Sequence, residues 1–220
     1  MMKFAVIVFP GSNCDHDAYH VINSMPNSTV KFVWHKETDL EHYDAIIIPG
    51  GFSYGDYLRA GAIAQFSPIM NSVIAEAKKG KKVIGICNGF QILIECGLLP
   101  GALLNNKNIK FLSREVCLEV VNNKTSFTHL IDKKDELLMP IAHRQGNYFA
   151  DKDLINQLES NNQIAFRYKY ENPNGSVSDI AGILNSDKNV LGMMPHPERA
   201  SESILGSSSG HKIFQSILES

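Results

Sequence analysis

The sequence predicts an α/β fold, an open and mostly parallel sheet with helices on both faces and an antiparallel extension, and three observations predict it. β-branched apolar runs alternate with amphipathic stretches through the first half of the chain. Those runs are continuously hydrophobic, as strands covered on both faces are. Beyond Pro100-Gly101 the apolar runs shorten and polar loops join them, the pattern of hairpin-connected strands. The 220 residues, 44% hydrophobic and 20% charged, are read as one domain spanning 1–220 with a sizeable core.

Phe4 to Phe9 reads as a buried strand stopped by Pro10-Gly11, and Asp15 to Met25 as a helix with Ala18, Val21, Ile22 and Met25 on one face. Val30 to Trp34 and Asp44 to Ile48 are further strands, the second ended by Pro49-Gly50-Gly51. Ala60 to Lys79 predicts a helix burying Ile63, Phe66, Ile69, Val73, Ile74 and Ala77 and stopping at Gly80. Lys82 to Ile86 is a fourth strand, followed by a short helix from Asn88 to Cys96. Val116 to Val121, Pro140 to His143, Ile164 to Tyr168 and Ala181 to Leu184 form the antiparallel extension. Val190 to Met194 is a last buried strand and His211 to Leu218 a closing helix. Together these elements describe a flavodoxin-like sheet.

Charge excludes several function classes. Net charge is −2, and the 21 Lys and Arg are scattered apart from Lys78, Lys79, Lys81 and Lys82, so no basic face recruits nucleic acid or anionic lipid. Apolar stretches such as Ala45 to Ile48 fall far short of the ~18 residues of a spanning helix, and the N-terminus carries no signal-peptide pattern. The expectation is a soluble, cytoplasmic protein. Cys14, Cys87, Cys96 and Cys117 make no Cys-x-x-Cys pair and no metal-ligand rhythm with the eight histidines, so neither a disulfide scaffold nor a metal site is expected.

The sharpest chemical signal is Gly85-Ile86-Cys87-Asn88-Gly89, a nucleophile elbow with sulfur in place of the usual serine oxygen. Small neighbours allow a tight strand-to-helix turn, and a helix N-terminus favours the thiolate. On its own the pattern fits a buried structural cysteine equally well. A nucleophile needs a base, and His16, His20, His35, His42, His129 and His211 sit in polar, loop-like or exposed helical settings, while His143 is ambiguous. His196 differs: it follows a buried strand, lies between Pro195 and Pro197, and has Glu198 two residues on, where an extended chain projects both side chains to the same side. Cys87, His196 and Glu198 then form a catalytic triad.

The glycine-rich stretch Pro49 to Gly61 tempts a phosphate-loop reading, but Asp56 and Tyr57 stand where Lys and Ser or Thr are required. It reads better as an oxyanion hole, with a backbone N–H of Gly51 or Phe52 acting with that of Asn88.

Several segments carry a resemblance: Phe9 to Asp15, Gly50 to Gly61, Gly85 to Gln91, Gly97 to Gly101 and Pro195 to Arg199. On these the chain resembles the class I, triad-type glutamine amidotransferases, and among them the glutaminase subunits of phosphoribosylformylglycinamidine synthase. The resemblance implies that Cys87 forms a thioester while hydrolysing glutamine, that Gln91 binds the substrate, and that the ammonia passes to a partner. That partner would be the synthetase subunit, carrying ATP and Mg and acting on formylglycinamide ribonucleotide in purine biosynthesis, with a small accessory subunit; no cofactor is implied in this chain. One departure is Gln145, where the family pattern calls for glutamate. The competing readings are a cysteine hydrolase or peptidase-like protein on the same scaffold and a non-enzymatic interaction subunit; the Pro-His-Pro-Glu segment and the long glycine loop favour glutamine.

Overall fold

The computed structural model describes residues 1–220. In chain order the elements begin with β1 (Met2–Val8), α1 (Asp15–Ser24), β2 (Ser28–Trp34), β3 (Ala45–Ile48), α2 (Pro68–Lys78), β4 (Lys82–Ile86) and α3 (Asn88–Glu95). They continue with β5 (Ala102–Leu104), β6 (Leu112–Val120), β7 (Leu137–His143), β8 (Asn147–Phe149), α4 (Lys152–Ser160), β9 (Ile164–Tyr168), β10 (Ile180–Leu184), β11 (Val190–Met193) and α5 (His211–Leu218). The nine-stranded sheet runs β2-β1-β3-β4-β11-β10-β9-β6-β7. The strands from β2 to β11 are parallel, and β10, β9, β6 and β7 extend them antiparallel, as expected.

Every residue of β3 and β11 is buried, and so are Phe4 to Ile7 of β1 and Val83 to Ile86 of β4. Strands without a wet face must be covered on both sides, which is why their sequences are unbroken apolar runs rather than alternating ones. One apolar cluster reaches from Phe4 on β1 to Ile217 on α5. No helix is long and apolar enough to cross a membrane.

Although β7 is last in the sheet order, its Pro140 carbonyl accepts a hydrogen bond from the His196 N–H beyond β11 at 2.9 Å. The extension therefore curls back over the carboxyl end of the parallel strands, helped by register shifts between β9 and β10.

Three local expectations need correction. The helix predicted from Ala60 begins only at Pro68: Gly61 takes φ +81° against the backbone of Gln91 and Ile92, Ala64–Phe66 is a short 3₁₀ turn, and the residue before a proline disfavours helix. Phe66, expected in the core, is consequently 78% exposed. α4 and the β5–β8 ribbon were not anticipated; α4 is polar over most of its surface, and its clearest start signal is Asp151, which caps Leu154 N–H at 2.8 Å. His35, expected at the surface, is buried and meets the Tyr54 hydroxyl at 2.9 Å, which in turn meets Ser67 Oγ at 2.8 Å. Burial, then Lys36, pushes the His35 pKa down.

The packing of α3 on the sheet depends on glycine. A Cβ on Gly89 would lie 1.9 Å from the Ile48 carbonyl oxygen, a backbone atom that cannot swing aside. Gly89→Ala is expected to destabilise the fold by about 1–3 kcal/mol through overpacking, read as a lower urea midpoint; an unchanged midpoint would show that α3 can lift off β3 without cost.

Candidate active site

Residues at the carboxyl ends of β1, β3, β4 and β11 converge here, the edge where open α/β sheets bind ligands. Cys87 joins β4 to α3 with φ 50° and ψ −104°, a conformation that L-residues rarely adopt. The surroundings enforce it: Cys87 N–H donates to Met193 O at 2.8 Å, and α3 starts at the next residue. A Cβ on Gly85 would meet Gly89 backbone at 2.7 Å, so the strand and helix can close around the turn only because both positions are glycine. Cys87 Sγ lies 3.7 Å from the Ala142 carbonyl oxygen on β7.

His196 and Glu198 are both buried, with His196 Nδ1 and Glu198 Oε1 2.5 Å apart. The expected contact forms by a different route: Pro197–Arg199 is a 3₁₀ turn, not extended chain, and it curls the carboxylate under the ring. Burial opposes the imidazolium, but Glu198 and the neighbouring Cys87 and Cys14 sulfurs prevail and hold the His196 pKa well above the ordinary imidazole range. His196 Nε2 has no hydrogen-bond partner within the protein.

Gly50 lies between these groups: a Cβ there would sit 2.7 Å from His196 Cε1, 3.2 Å from Cys14 Sγ and 3.4 Å from Cys87 Cβ. Gly51 has φ +133°, where a side chain would also meet Asn13 N at 2.7 Å. Of the two loop donors expected as alternatives in the oxyanion hole, Phe52 N–H donates to Gly11 O at 3.0 Å. Gly51 N–H makes no hydrogen bond within the protein, and Asn88 N–H opens a helix, where no intrahelical carbonyl can accept it.

The Asn88 side chain has a part that the sequence did not suggest. Its Oδ1 accepts from Ser53 N–H at 3.0 Å, while its Nδ2 donates to Gln91 Oε1 at 2.8 Å and approaches Asp56 Oδ1 at 3.3 Å, clamping the glycine loop to α3. Burial pushes the Asp56 carboxyl up to about 6 against the pull of Asn88. Gln91 also donates to Gln145 O at 2.6 Å, and Gln145 Oε1 accepts from Ala60 N–H at 3.0 Å, so the glycine loop, α3 and the turn between β7 and β8 share one network.

Cys14, which carries no Cys-x-x-Cys pair or metal-ligand rhythm in the sequence, adjoins this centre. Its Sγ, one His196 nitrogen and one Glu198 oxygen lie within 4.8 Å of one another, the spacing of a metal-ligand set. His196 Nδ1 and Glu198 Oε1 hold each other, and a guanidinium faces the sulfur: Arg199 Nη2 donates to Cys14 Sγ at 3.2 Å while its Nε donates to Asp17 at 3.0 Å. The signal available was position: Pro10-Gly11 ends β1 at the same sheet edge as the other site segments. Of the remaining histidines, His143 is buried beside Cys87, whereas His16, His20, His42 and His129 are exposed and His211 half-exposed.

A cavity of about 410 Å³ opens over Cys87, walled by Gly51, Asp56 and Arg59 on one side and Ala142 to Gln145 on another, with Gln91 between. A larger open hollow of about 860 Å³ lies at the opposite end of the parallel strands. It is lined by no cysteine or histidine, and its lysines are engaged with Glu76 and the C-terminal carbonyls. A thiol on a strained turn, a buried imidazole and carboxylate, and free N–H donors around one small cavity suit acyl transfer from a carbonyl substrate.

Residues 1–215 match the CobB/CobQ-like glutamine amidotransferase domain. The chain is 46% identical to a chain in the structure of PurLQS from Thermotoga maritima, with a TM-score of 0.91 over 99% of this chain and 98% of that one. More distant likenesses show the fold alone. One is a Thermoplasma acidophilum protein described as a GMP synthase component, with TM-score 0.67, 16% identity and coverage of 100% and 93%. Another is a glutamine amidotransferase from Thermotoga maritima, with TM-score 0.64, 15% identity and coverage of 100% and 99%.

The electrostatics can be tested directly. In Glu198→Gln the carboxylate that opposes burial is gone, so the His196 midpoint, followed by NMR of its ring carbon against pH, is expected to fall; an unmoved midpoint would assign the raised value elsewhere. With the folded value raised, the pair's contribution to stability is complete below about pH 6.5, the ordinary imidazole value, and is lost as pH rises through the folded midpoint. Wild type and variant should therefore differ most in stability at the acid side of that window.

Proposed function

The chain belongs to the family of CobB/CobQ-like glutamine amidotransferase domains, and from that premise we propose that it is the glutaminase subunit of phosphoribosylformylglycinamidine synthase. The observation that carries this reading is the full-length likeness to a chain of PurLQS at 46% identity, a level far above that of the two other amidotransferase folds. Family membership also weighs against a peptidase-like hydrolase and against an interaction subunit whose cysteine is idle.

In this reading glutamine enters the cavity with its side-chain amide over Cys87, and Gln91 contacts it from the wall. The Cys87 thiolate adds to the amide carbon, and the oxygen that becomes negative is received by the N–H groups of Gly51 and Asn88. These donors are useful because no protein carbonyl competes for them. His196, kept protonated by Glu198, gives its proton to the amide nitrogen as the C–N bond breaks; ammonia leaves and a thioester remains on Cys87. His196, now neutral, takes a proton from water as the water attacks the thioester, and glutamate is released with the thiolate restored.

Ammonia set free in water is protonated at neutral pH and loses its nucleophilic lone pair, so it must be consumed nearby. The consumer is the synthetase subunit, using ATP and Mg to convert formylglycinamide ribonucleotide to the amidine, with a small accessory subunit in the assembly. This chain itself needs no cofactor for amide hydrolysis, and the assembly works in the cytoplasm.

Cys87→Ala, assembled with the synthetase, is expected to lose glutamine-dependent amidine synthesis by ~10³-fold or more, while synthesis from added ammonia stays within about twofold of wild type. Loss of both activities would sink the division of labour between the two chains, and retention of both would remove Cys87 from the chemistry.

A further inference from the structure

His143 is the one buried titratable group of the cavity wall that the mechanism above leaves unused. Four observations define its state. Its Nδ1 lies 3.1 Å from Asn106 Oδ1, and that oxygen also accepts Gly146 N–H at 3.1 Å. Asn106 is oriented unambiguously, because its Nδ2 donates to the carbonyls of Lys110 and His143 at 2.8 and 2.9 Å. An oxygen acceptor on Nδ1 places the hydrogen there, so in the neutral ring Nε2 carries a bare lone pair. Gly146 packs against the ring so closely that a Cβ would come within 2.3 to 2.6 Å of Cε1, Nδ1 and Nε2, which fixes its plane. Nε2 is buried and accepts nothing from the protein. Burial, then the positive charge of His196, pushes the pKa down to about 4, so the ring is neutral throughout the physiological range.

An acceptor buried without a partner costs free energy, which is recovered if something else supplies the hydrogen. The substrate amide has such hydrogens. Its oxygen and nitrogen lie on opposite sides of the attacked carbon, so with the oxygen on the Gly51 and Asn88 donors the nitrogen turns away from them. Away from that loop lies the end of β7, where Ala142 O is 3.7 Å from Cys87 Sγ and His143 is the next residue.

We infer that His143 Nε2 accepts a hydrogen bond from the leaving nitrogen of the glutamine amide and keeps hold of the ammonia formed from it. The inference rests on the glutaminase reading. As the C–N bond breaks, the proton that completes ammonia comes from His196, and His143 neither gives nor takes one. A neutral acceptor is what the task requires, since an imidazolium at this place would convert ammonia to ammonium. Orientation of the nitrogen lone pair toward His196 follows from holding its hydrogens elsewhere.

The test compares glutamine with the γ-methyl ester of glutamate, which forms the same thioester but departs through an oxygen that bears no hydrogen in the substrate. His143→Asn keeps a donor for Asn106 and removes the acceptor at the Nε2 position; His143→Gln places an amide oxygen near that position. With the full chain assembled with its synthetase, kcat/KM for glutamine is expected to fall about tenfold in His143→Asn and to recover to within about threefold in His143→Gln. On the ester both variants should match wild type. Parallel losses on glutamine and ester would show that His143 only supports the fold, and full glutamine activity in His143→Asn, or no recovery in His143→Gln, would equally overturn the assignment. A wild-type assembly that turns over neither compound would instead bring down the glutaminase reading, and this inference with it.

Discussion

A carboxylate without exposed surface is costly, several kcal/mol in a protein interior, unless a cation is held against it. Glu198 is in that position, and His196 is the cation. Much of the site can be understood as the means of keeping that pair together. Pro195 and Pro197 stiffen the chain on either side, the 3₁₀ turn presents the carboxylate, and Pro140 on β7 holds the histidine backbone. The antiparallel extension therefore belongs to the site as well as to the core: without the curl that returns β7 to the parallel strands, His196 would lose its backbone anchor and Cys87 would lose one wall of its cavity.

The same pair sets the electrostatics of its neighbours. A charged His196 disfavours a second proton on His143, so the two histidines take opposite states a short way apart. Such divergence between nearby titratable groups is a usual sign of divided roles. Here the divergence comes from partners: a carboxylate for His196, and for His143 the amide oxygen of Asn106, which offers no charge to hold a proton in place.

The sequence made the parallel core legible because its strands are uniform apolar runs, and it made Cys87 legible because glycines flank it at the spacing a tight strand-to-helix turn requires. His196 and Glu198 were found for a reason only partly physical, since the extended geometry supposed for them is a 3₁₀ turn. What stayed hidden depends on contacts between distant segments. Asn88 looked like the residue after a nucleophile, yet its side chain ties together positions 35 and 32 residues apart. Cys14 and His143 each lacked a local pattern, and only the convergence of β1 and β7 on one edge gives them neighbours. Phe66 and His35 were misplaced for the same cause: a helix that starts late turns one out, and a loop that folds over covers the other.

The bond from Ser53 N–H to Asn88 has a mechanical meaning. The two free N–H donors of the site belong to different segments, one on the glycine loop at Gly51 and one on α3 at Asn88, and their usefulness depends on a constant separation. A side chain that starts on one donor's own residue and bonds two positions past the other makes a short brace between them. Tyr57 and Leu58 stand at the exposed end of the loop, and the brace lies between that end and the donors. Thermal motion at the loop tip is thereby kept from reaching the spacing on which the chemistry depends.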